Sequence, residues 1–277
     1  MKIKGTEFFI GSDPEVFLKD RRTRRYVSAH GVTEGTKDNP RKLGPGSYIQ
    51  VDGMALEFNT APRKDAIGFG YEVACCKELI HRLILNKRNT TLAVESTVEF
   101  DDEEWERVPD IAKDLGCNAD YCAWNGGRTN PSPDATVKYR TGAGHIQLGW
   151  GKNFKITKDY MKICGQVAKE LDATVGVASL LYDPDTKRRS LYGKAGAFRP
   201  THFGVEYRVL SNRWVRNLEL STYVANLSFR AIYSLMSERE TNVSDVENII
   251  NNGDVSSALY WLVHNKTPLP PKRQRIY

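Results

Sequence analysis

The 277-residue sequence has no apolar run near the ~20 residues that a transmembrane helix requires. The segment Met1–Glu7 lacks the apolar core of a secretory signal. Cysteines are few, five in all, and none of them has the CxxC or Cys/His spacing of a zinc site. We therefore expect a cytoplasmic protein without membrane contact, whose cysteines are small buried or reduced thiols.

Neither sign of charge is in large excess, since 40 Lys and Arg face 34 Asp and Glu, for a net charge of +6. A chain with 40% apolar and 27% charged residues is an ordinary globular one, which excludes disordered and fibrous proteins. The basic residues gather locally in residues 19–25, 187–189 and 272–275. Each cluster fits either a solvated turn or a nucleic-acid contact.

Apolar patterns predict strands and helices interspersed along the chain, which is typical of an α+β fold. Predicted strands cover residues 6–18, 26–29, 47–60, 91–100, 143–150 and 204–210. Predicted helices cover 66–86, 157–171 with Thr157 as N-cap, 218–235, 244–250 and 255–264. Predicted loops cover 31–46, 117–139 and 186–201. We expect one domain over residues 1–277, with C-terminal helices within 212–266 and a basic extended tail over 267–277.

The first strand pattern places two carboxylates together. Asp13 and Glu15 lie two residues apart, so both side chains project from one face of a strand. Neighbouring carboxylates repel each other unless a cation lies between them, and their hard oxygen atoms suit Mg²⁺ or Mn²⁺. An exposed turn at Asp13-Pro14 is the alternative interpretation.

Two further strand patterns carry polar residues among apolar ones. Glu57 lies between Leu56 and Phe58, where a solitary buried carboxylate would be costly, so the alternatives are a site or an exposed sheet edge. His145 and Gln147 follow a glycine-rich entry and share one strand face. They indicate either a site or a structural histidine.

The last pattern contains an acid and a base on one strand face, Glu206 and Arg208. A sheet-surface ion pair would also explain it. The preceding loop is rich in glycine and carries Arg188, Arg189, Lys194 and Arg199, which would suit a polyphosphate. Together, the four patterns fit metal-assisted phosphoryl chemistry better than acid–base hydrolysis.

Five motifs occur in one order along the chain: Gly11–Glu15, Asp52–Pro62, Arg140–His145, Arg189–Arg199 and Gly204–Trp214. This order resembles the phage-type carboxylate–amine ligases, the COOH.NH2 ligase type 2 family of the glutamine synthetase and glutamate–cysteine ligase superfamily. The match runs from about residue 7 to residue 216. The remaining C-terminal residues contribute little to it.

The resemblance implies a glutamine synthetase-like fold, in which helices cover the outer face of a curved antiparallel sheet and the concave face binds ATP and two or three Mg²⁺ ions, with Mn²⁺ as an alternative. It assigns the metal ions to Asp13, Glu15, Glu57, His145 and Glu206. It assigns catalysis to Glu206, Arg208 and Arg199. The basic loop, taken together with the resemblance, predicts nucleotide binding by Arg189, Lys194 and Arg199. A bacteriophage origin would place the protein in the cytoplasm of a bacterial host.

The implied reaction joins a small-molecule or peptide carboxylate to an amine through an acyl phosphate, with release of ADP and phosphate. One departure is Gly142-Ala143-Gly144-His145-Ile146-Gln147, where the family commonly has Gly-Gly-His-x-His. Glutamine cannot carry a proton, so we leave Gln147 out of the catalytic set. Two alternatives stay open, a kinase on the same sheet and a non-catalytic nucleic-acid-binding module.

Overall fold

The computed structural model describes residues 7–86, 88–113, 120–131, 137–151, 158–237 and 243–271. The strands are β1 Phe9–Ser12, β2 Glu15–Asp20, β3 Tyr26–Val27, β4 Arg41–Gly44, β5 Ser47–Asp52, β6 Ala55–Asn59, β7 Thr90–Ala93, β8 Thr97–Glu99, β9 Tyr121–Cys122, β10 Arg128–Thr129, β11 Tyr139–Thr141, β12 Ile146–Gly149, β13 Ala197–Pro200 and β14 Gly204–Tyr207.

The helices are α1 Ala66–Ile80, α2 Asp102–Arg107, α3 Asp110–Lys113, α4 Tyr160–Leu171, α5 Val177–Ser179, α6 Thr186–Leu191, α7 Leu218–Met236, α8 Val246–Asn252 and α9 Val255–His264. A π-helical turn, His81–Leu85, extends α1, and another, Asp172–Gly176, joins α4 to α5. A 3-10 turn, Asn212–Arg216, precedes α7.

Antiparallel strands form two large sheets that meet where β1 leads into β2. One sheet has the order β1-β12-β14-β13-β9-β10, and the other has the order β3-β2-β6-β5-β4 with β7 against β2. At the junction, Ile10 and Arg63 exchange two backbone hydrogen bonds of 2.8 Å, and the Thr60 amide donates to the Ser12 carbonyl at 2.9 Å. The sheets therefore continue into one curled half-barrel.

Side-chain alternation gives this surface two different faces. On β6, Leu56 and Phe58 are fully buried in the main core, whereas Glu57 lines a cavity on the opposite face. On β14, Val205 and Tyr207 are buried in the same core and Glu206 lines the cavity. The core also contains apolar residues of α1, α4 and α7, so these helices cover the outer face, as expected. Burial of each large apolar side chain contributes about 1.5–3 kcal/mol.

Several sequence-based predictions are confirmed. The strand region 47–60 is the β5–β6 hairpin, whose turn contains Gly53 at a φ of 58°, in the left-handed region that favours glycine. The helices predicted near 66–86, 218–235 and 255–264 correspond to α1 with its π turn, α7 and α9. The helix predicted from Thr157 begins at Tyr160, and Thr157 itself lies outside the described residues.

The three predicted loops are partly wrong. Residues 31–46 contain β4, a short edge strand with two exposed basic residues, and the described part of 117–139 contains β9 and β10. Residues 186–201 contain α6 and β13. Helix α6 begins at a cap, where the Asp185 side chain accepts from the Lys187 amide at 2.8 Å. Its arginines Arg188 and Arg189 are buried, a burial that composition alone does not indicate.

The cysteines of the described residues are unpaired, and Cys76, Cys122 and Cys164 are buried. Burial raises the pKa of the Cys76 and Cys164 thiols to about 12, which makes them poor nucleophiles. Cys75 is exposed, and Cys117 lies outside the described residues, as does the tail from residue 272 onward. No helix in the described ranges is both long and apolar enough to cross a membrane.

Candidate active site

A cavity of about 240 Å³ lies on the concave face of the half-barrel. It brings together seven of the residues predicted from the sequence: Asp13, Glu15, Glu57, His145, Arg199, Glu206 and Arg208. Glu15 and Glu57 lie on one sheet, Arg199 and Glu206 lie on the other, and Asp13 lies between β1 and β2, so residues of both sheets line the cavity.

The glycines before His145 fix its position by close backbone contact. A Cβ on Gly144 would lie 2.3 Å from the Ser211 carbonyl oxygen, and one on Gly142 would lie 2.3 Å from the Asn212 side-chain nitrogen. Between them, the Ala143 amide donates to Glu15 Oε2 at 2.9 Å. The glycine-rich entry therefore packs tightly against Ser211 and Asn212, and the Ala143 amide links the His145 segment to Glu15.

His145 lies between two carboxylates. Its Nδ1 is 3.1 Å from Glu206 Oε1 and 3.5 Å from Asp13 Oδ1. Arg208 bonds the same Glu206 oxygen, Arg199 lies 3.4 Å from Oε2, and Arg208 Nε is 3.2 Å from Asp120 Oδ2. One ligand atom from each of Asp13, His145 and Glu206 lies within 4.8 Å of the others. We call these three residues the histidine cluster.

Charges around the histidine cluster are largely compensated. Burial alone would raise the pKa of Glu206, but the hydrogen bond from His145 and the charges of His145, Arg208 and Arg199 hold it at about 2. Burial and the charge of Arg208 oppose protonation of His145, yet Asp13 and Glu206 raise its pKa above the usual range. The cluster thus keeps an ionised carboxylate at the end of the cavity that contains the arginines.

A second group of acids lines the same cavity and consists of Glu15, Asp52 and Glu57, with one carboxylate oxygen of each within 4.8 Å of the others. Glu15 and Glu57 are paired in register on β2 and β6. Gln50 pairs with Glu57 on β5, and its amide donates to Glu57 Oε1 at 2.9 Å. We call Glu15, Asp52 and Glu57 the acidic cluster.

Negative charge in the acidic cluster is poorly compensated. Burial and the charge of Asp52 raise the pKa of Glu15 to about 7, although the hydrogen bond from the Ala143 amide lowers it. Burial raises the pKa of Glu57 well above its usual value, with further repulsion from Asp13, Glu15 and Asp52. Partly buried carboxylates with raised pKa values, here Glu15 and Glu57, mark a position that would accept a cation.

Asp52 and Tyr192 also line the cavity, although the sequence predicts no role for either residue. Asp52 follows Gln50 by two residues, so alternation on β5 could have placed both on the face of Glu57. Tyr192 follows α6, and its hydroxyl is 3.4 Å from His145 Nε2, a contact across 47 residues that no local pattern indicates.

Two residues predicted to bind the nucleotide do not line the cavity. Arg189 is buried in α6, where its guanidinium donates to the Asp185 carbonyl at 3.1 Å and to the Ser179 hydroxyl at 3.3 Å. Lys194 is exposed in the turn before β13. Gln147 pairs in register with Glu206 but also lies outside the cavity lining.

The donor atoms of both clusters fit a hard divalent cation. The acidic cluster offers only carboxylate oxygens, the ligands that Mg²⁺ and Mn²⁺ prefer. In the histidine cluster, Asp13 Oδ1 is buried and accepts no hydrogen bond of good geometry, so it is suited to a metal ion. The residues present therefore fit two cation positions that face one cavity.

No family model and no curated protein sequence matches the chain. Among solved structures, it is similar to a bifunctional glutathione synthetase from Pasteurella multocida, with a TM-score of 0.47, 12% identity, and coverage of 93% of this chain and 43% of the synthetase. The chain thus spans less than half of that protein. It is also similar to a GmaS structure without ligand, with a TM-score of 0.42, 11% identity, and coverage of 96% of this chain and 71% of the GmaS chain. These similarities do not identify the activity.

Proposed function

We propose that the protein is an ATP- and Mg²⁺-dependent carboxylate–amine ligase, which forms an amide bond through an acyl phosphate. The observation that supports it is the pair of cation-accepting clusters that line one cavity, with Arg199 and Arg208 beside the histidine cluster. Two cation positions with adjacent guanidinium groups suit the transfer of a phosphoryl group, whose charge spreads over several oxygens.

Each residue of the cavity has a role that follows from its contacts. Asp13, His145 and Glu206 would hold one cation, and Glu15, Asp52 and Glu57 would hold another. When bound, Mg²⁺ or Mn²⁺ would neutralise charge on the nucleotide phosphates. Arg208 bonds both Glu206 and Asp120, so its role is to orient the Glu206 carboxylate.

Arg199 is the guanidinium group that would contact the transferring phosphoryl group. It lies opposite Glu206 in register and lines the cavity, and its side chain is 29% exposed, against 5% for Arg208. The substrate carboxylate attacks the γ-phosphorus of ATP, and ADP leaves. An amine then displaces phosphate from the acyl carbon. Arg199 would stabilise the equatorial phosphoryl oxygens in the first step.

The test is phosphate release from Mg-ATP by the purified protein, with pooled amino acids, short peptides and small amines present or omitted. We expect release that needs both the pool and the metal, stops with EDTA, and yields ADP, phosphate and amide in equal amounts. Mass spectrometry of the products identifies the new bond.

Other outcomes would contradict the proposal in different ways. A phosphorylated product that hydroxylamine traps, with no amide, would indicate a kinase. Salt-sensitive DNA or RNA binding that survives glutamine substitution of Glu15, Glu57 and Glu206, with no ATP binding, would favour the nucleic-acid-binding alternative. The basic clusters are the basis for including nucleic acid in the test.

A further inference from the structure

Lys37 contacts the acidic cluster from a separate segment of the chain. Its Nζ lies 2.8 Å from Asp52 Oδ1, and the residue lines the cavity. The ammonium group is close enough to Glu57 and Glu15 for both charges to raise the Lys37 pKa, with Asp52 as the strongest of the three charges and burial acting against them. Lys37 therefore contacts Asp52 directly and interacts electrostatically with all three carboxylates of the acidic cluster.

The segment that carries Lys37 is held in place by its backbone. The Val51 amide donates to the Gly35 carbonyl at 3.0 Å, and Gly35 packs so closely on β5 that a Cβ would lie 2.1 Å from the Ile49 carbonyl oxygen. The Thr36 amide donates to the Asn39 carbonyl at 3.1 Å, and the Asn39 amide donates to the Thr36 hydroxyl at 3.1 Å. This closed turn places Lys37 beside Asp52.

Two properties of the Lys37 side chain allow its ammonium group to move relative to Asp52. The side chain is 47% exposed, and it consists of a flexible four-carbon stem with a single charge at its end. By contrast, Arg208 beside the histidine cluster is buried and bonded to both Glu206 and Asp120. The Lys37 ammonium group beside the acidic cluster can thus move, whereas the Arg208 guanidinium group is held in place by its two partners.

We propose that Lys37 is a built-in competitor for the divalent cation of the acidic cluster. While its ammonium group lies on Asp52, it partly compensates the three carboxylates and reduces their attraction for a divalent cation. A cation that binds there must displace Lys37, so Lys37 weakens metal binding and sets the concentration at which the acidic cluster fills. The inference rests on the metal-binding part of the proposed function.

The experiment is titration of the full-length chain with Mn²⁺ in the absence of nucleotide, followed by calorimetry and by the electron paramagnetic resonance signal of free Mn²⁺. We expect Lys37→Met to bind Mn²⁺ roughly tenfold more tightly than the wild type, because a unit charge at ion-pair distance is removed. Lys37→Arg, which keeps the charge, should stay near the wild-type affinity.

Two controls assign the gain to the acidic cluster. Lys42→Met removes an exposed charge from the same segment, on β4, and should leave the Mn²⁺ affinity within about twofold of the wild type. Lys37→Met combined with Glu57→Gln should lose the gain, because the cluster then lacks one carboxylate. Circular dichroism confirms that each variant is folded.

Unchanged or weaker Mn²⁺ binding by folded Lys37→Met would overturn the inference, as would an equal gain in Lys42→Met. A lack of Mn²⁺ binding in every variant would overturn it together with the proposed metal sites. Failure of the proposed function alone has another signature, since amide formation would then be missing while the Mn²⁺ affinities still followed the expected order.

Discussion

Glu15 and Glu57 lie directly opposite each other in register on the neighbouring antiparallel strands β2 and β6. Like charges in this position destabilise a sheet, and burial adds to the cost. Both carboxyl groups have raised pKa values, so bound protons neutralise part of the negative charge of the pair. A divalent cation would replace those protons, so metal binding and pH are linked at this pair.

Metal ions should therefore stabilise the protein more at high pH than at low pH. The folded-state pKa of Glu15 is about 7, above its ordinary value of 4.5, so the folded state binds the extra proton between those values. The unfolding free energy of the metal-free protein consequently falls as the pH rises through this window. Saturating Mg²⁺ should raise the melting temperature by several degrees near pH 8 and much less near pH 5.5.

The control for this effect is Glu57→Gln, which keeps the size of the side chain and removes one carboxylate from the acidic cluster. Its melting temperature should respond less to Mg²⁺ near pH 8 than that of the wild type. An equal Mg²⁺ effect at both pH values in the wild type would show that these carboxylates do not hold the metal.

Glu206→Gln should abolish metal-dependent turnover while the fold remains intact. Glutamine keeps the shape of the side chain but removes the charge that His145, Arg208 and Arg199 all contact. Phosphate release from Mg-ATP should fall by more than about 100-fold. Full activity in this variant would contradict the assignment of the site.

Stability provides a second test of Glu206. Its pKa is held at about 2 in the folded state, against 4.5 ordinarily, so its stabilising contribution is complete above 4.5 and is lost as the pH falls towards 2. The difference in unfolding free energy between the wild type and Glu206→Gln, measured by urea unfolding, should therefore shrink as the pH falls through that window. Glu78→Gln, on the exposed face of α1, should match the wild type in activity.

Two acids of the site, Glu57 and Glu206, could be recognised from the sequence because each stands among apolar residues on a strand. Glu57 between Leu56 and Phe58, and Glu206 between Val205 and Tyr207, interrupt patterns that are otherwise those of a buried strand. Local alternation is sufficient to place such side chains on the face opposite the core. The structure confirms this placement for both residues.

Lys37, Tyr192 and Arg189 show where local patterns are insufficient. Lys37 lies beside Asp52 in a segment whose Gly35 packs against β5, and Tyr192 contacts His145 across 47 residues of sequence. Arg189 belongs to a segment that is basic and glycine-rich, as a phosphate loop would be, yet it is buried by tertiary packing. Contacts with residues distant in the sequence determine where all three side chains lie.

Gly144→Ala should damage both stability and the site. The added Cβ would lie 2.3 Å from the Ser211 carbonyl oxygen and 2.5 Å from Trp214 Nε1, so the backbone must move and His145 moves with it. We expect a loss of about 1–3 kcal/mol in the free energy of unfolding and weaker Mn²⁺ binding. Gly11→Ala is the matched control, because its Cβ would meet Thr60 at an ordinary 3.9 Å. Equal behaviour of the two variants would contradict the close-packing argument.

Asp172→Asn should destabilise the protein through a network away from the cavity. The Asp172 carboxylate accepts from the Tyr207 hydroxyl and from Trp124 Nε1, both at 2.6 Å, and asparagine would turn a donor towards one of these donors. The expected loss is about 1–3 kcal/mol in urea unfolding. Asp245→Asn, an exposed N-cap without a side-chain hydrogen bond, should have little effect.

The loss of stability caused by Asp172→Asn should depend on pH. Burial raises the pKa of Asp172 to about 7 from 3.8, although Tyr207, Trp124 and the Gly196 amide all donate to it. The folded state then holds an extra proton between these values, so the stability contributed by Asp172 falls as the pH rises through the window. The difference between the wild type and Asp172→Asn should be larger near pH 5 than near pH 8. A difference that grows with pH would contradict the raised pKa.

Arg199→Met and Arg189→Met should separate catalysis from folding. Arg199 lies on the cavity face opposite Glu206, and its loss should reduce phosphate release by more than about 100-fold with a change in stability below ~1 kcal/mol. The buried Arg189 guanidinium donates hydrogen bonds to Ser179 and Asp185. Its loss should reduce the free energy of unfolding by about 2–4 kcal/mol. Activity per folded molecule should then stay near that of the wild type.

The measurements that distinguish these effects are urea unfolding and ATP binding at a temperature where both variants are folded. Methionine keeps most of the apolar stem of arginine, so the comparison isolates the guanidinium group. If Arg189→Met stays stable and loses ATP binding, Arg189 contacts the nucleotide, as the sequence predicted. If Arg199→Met unfolds instead, its contact with Glu206 is structural, because burial of Glu206 then requires that partner.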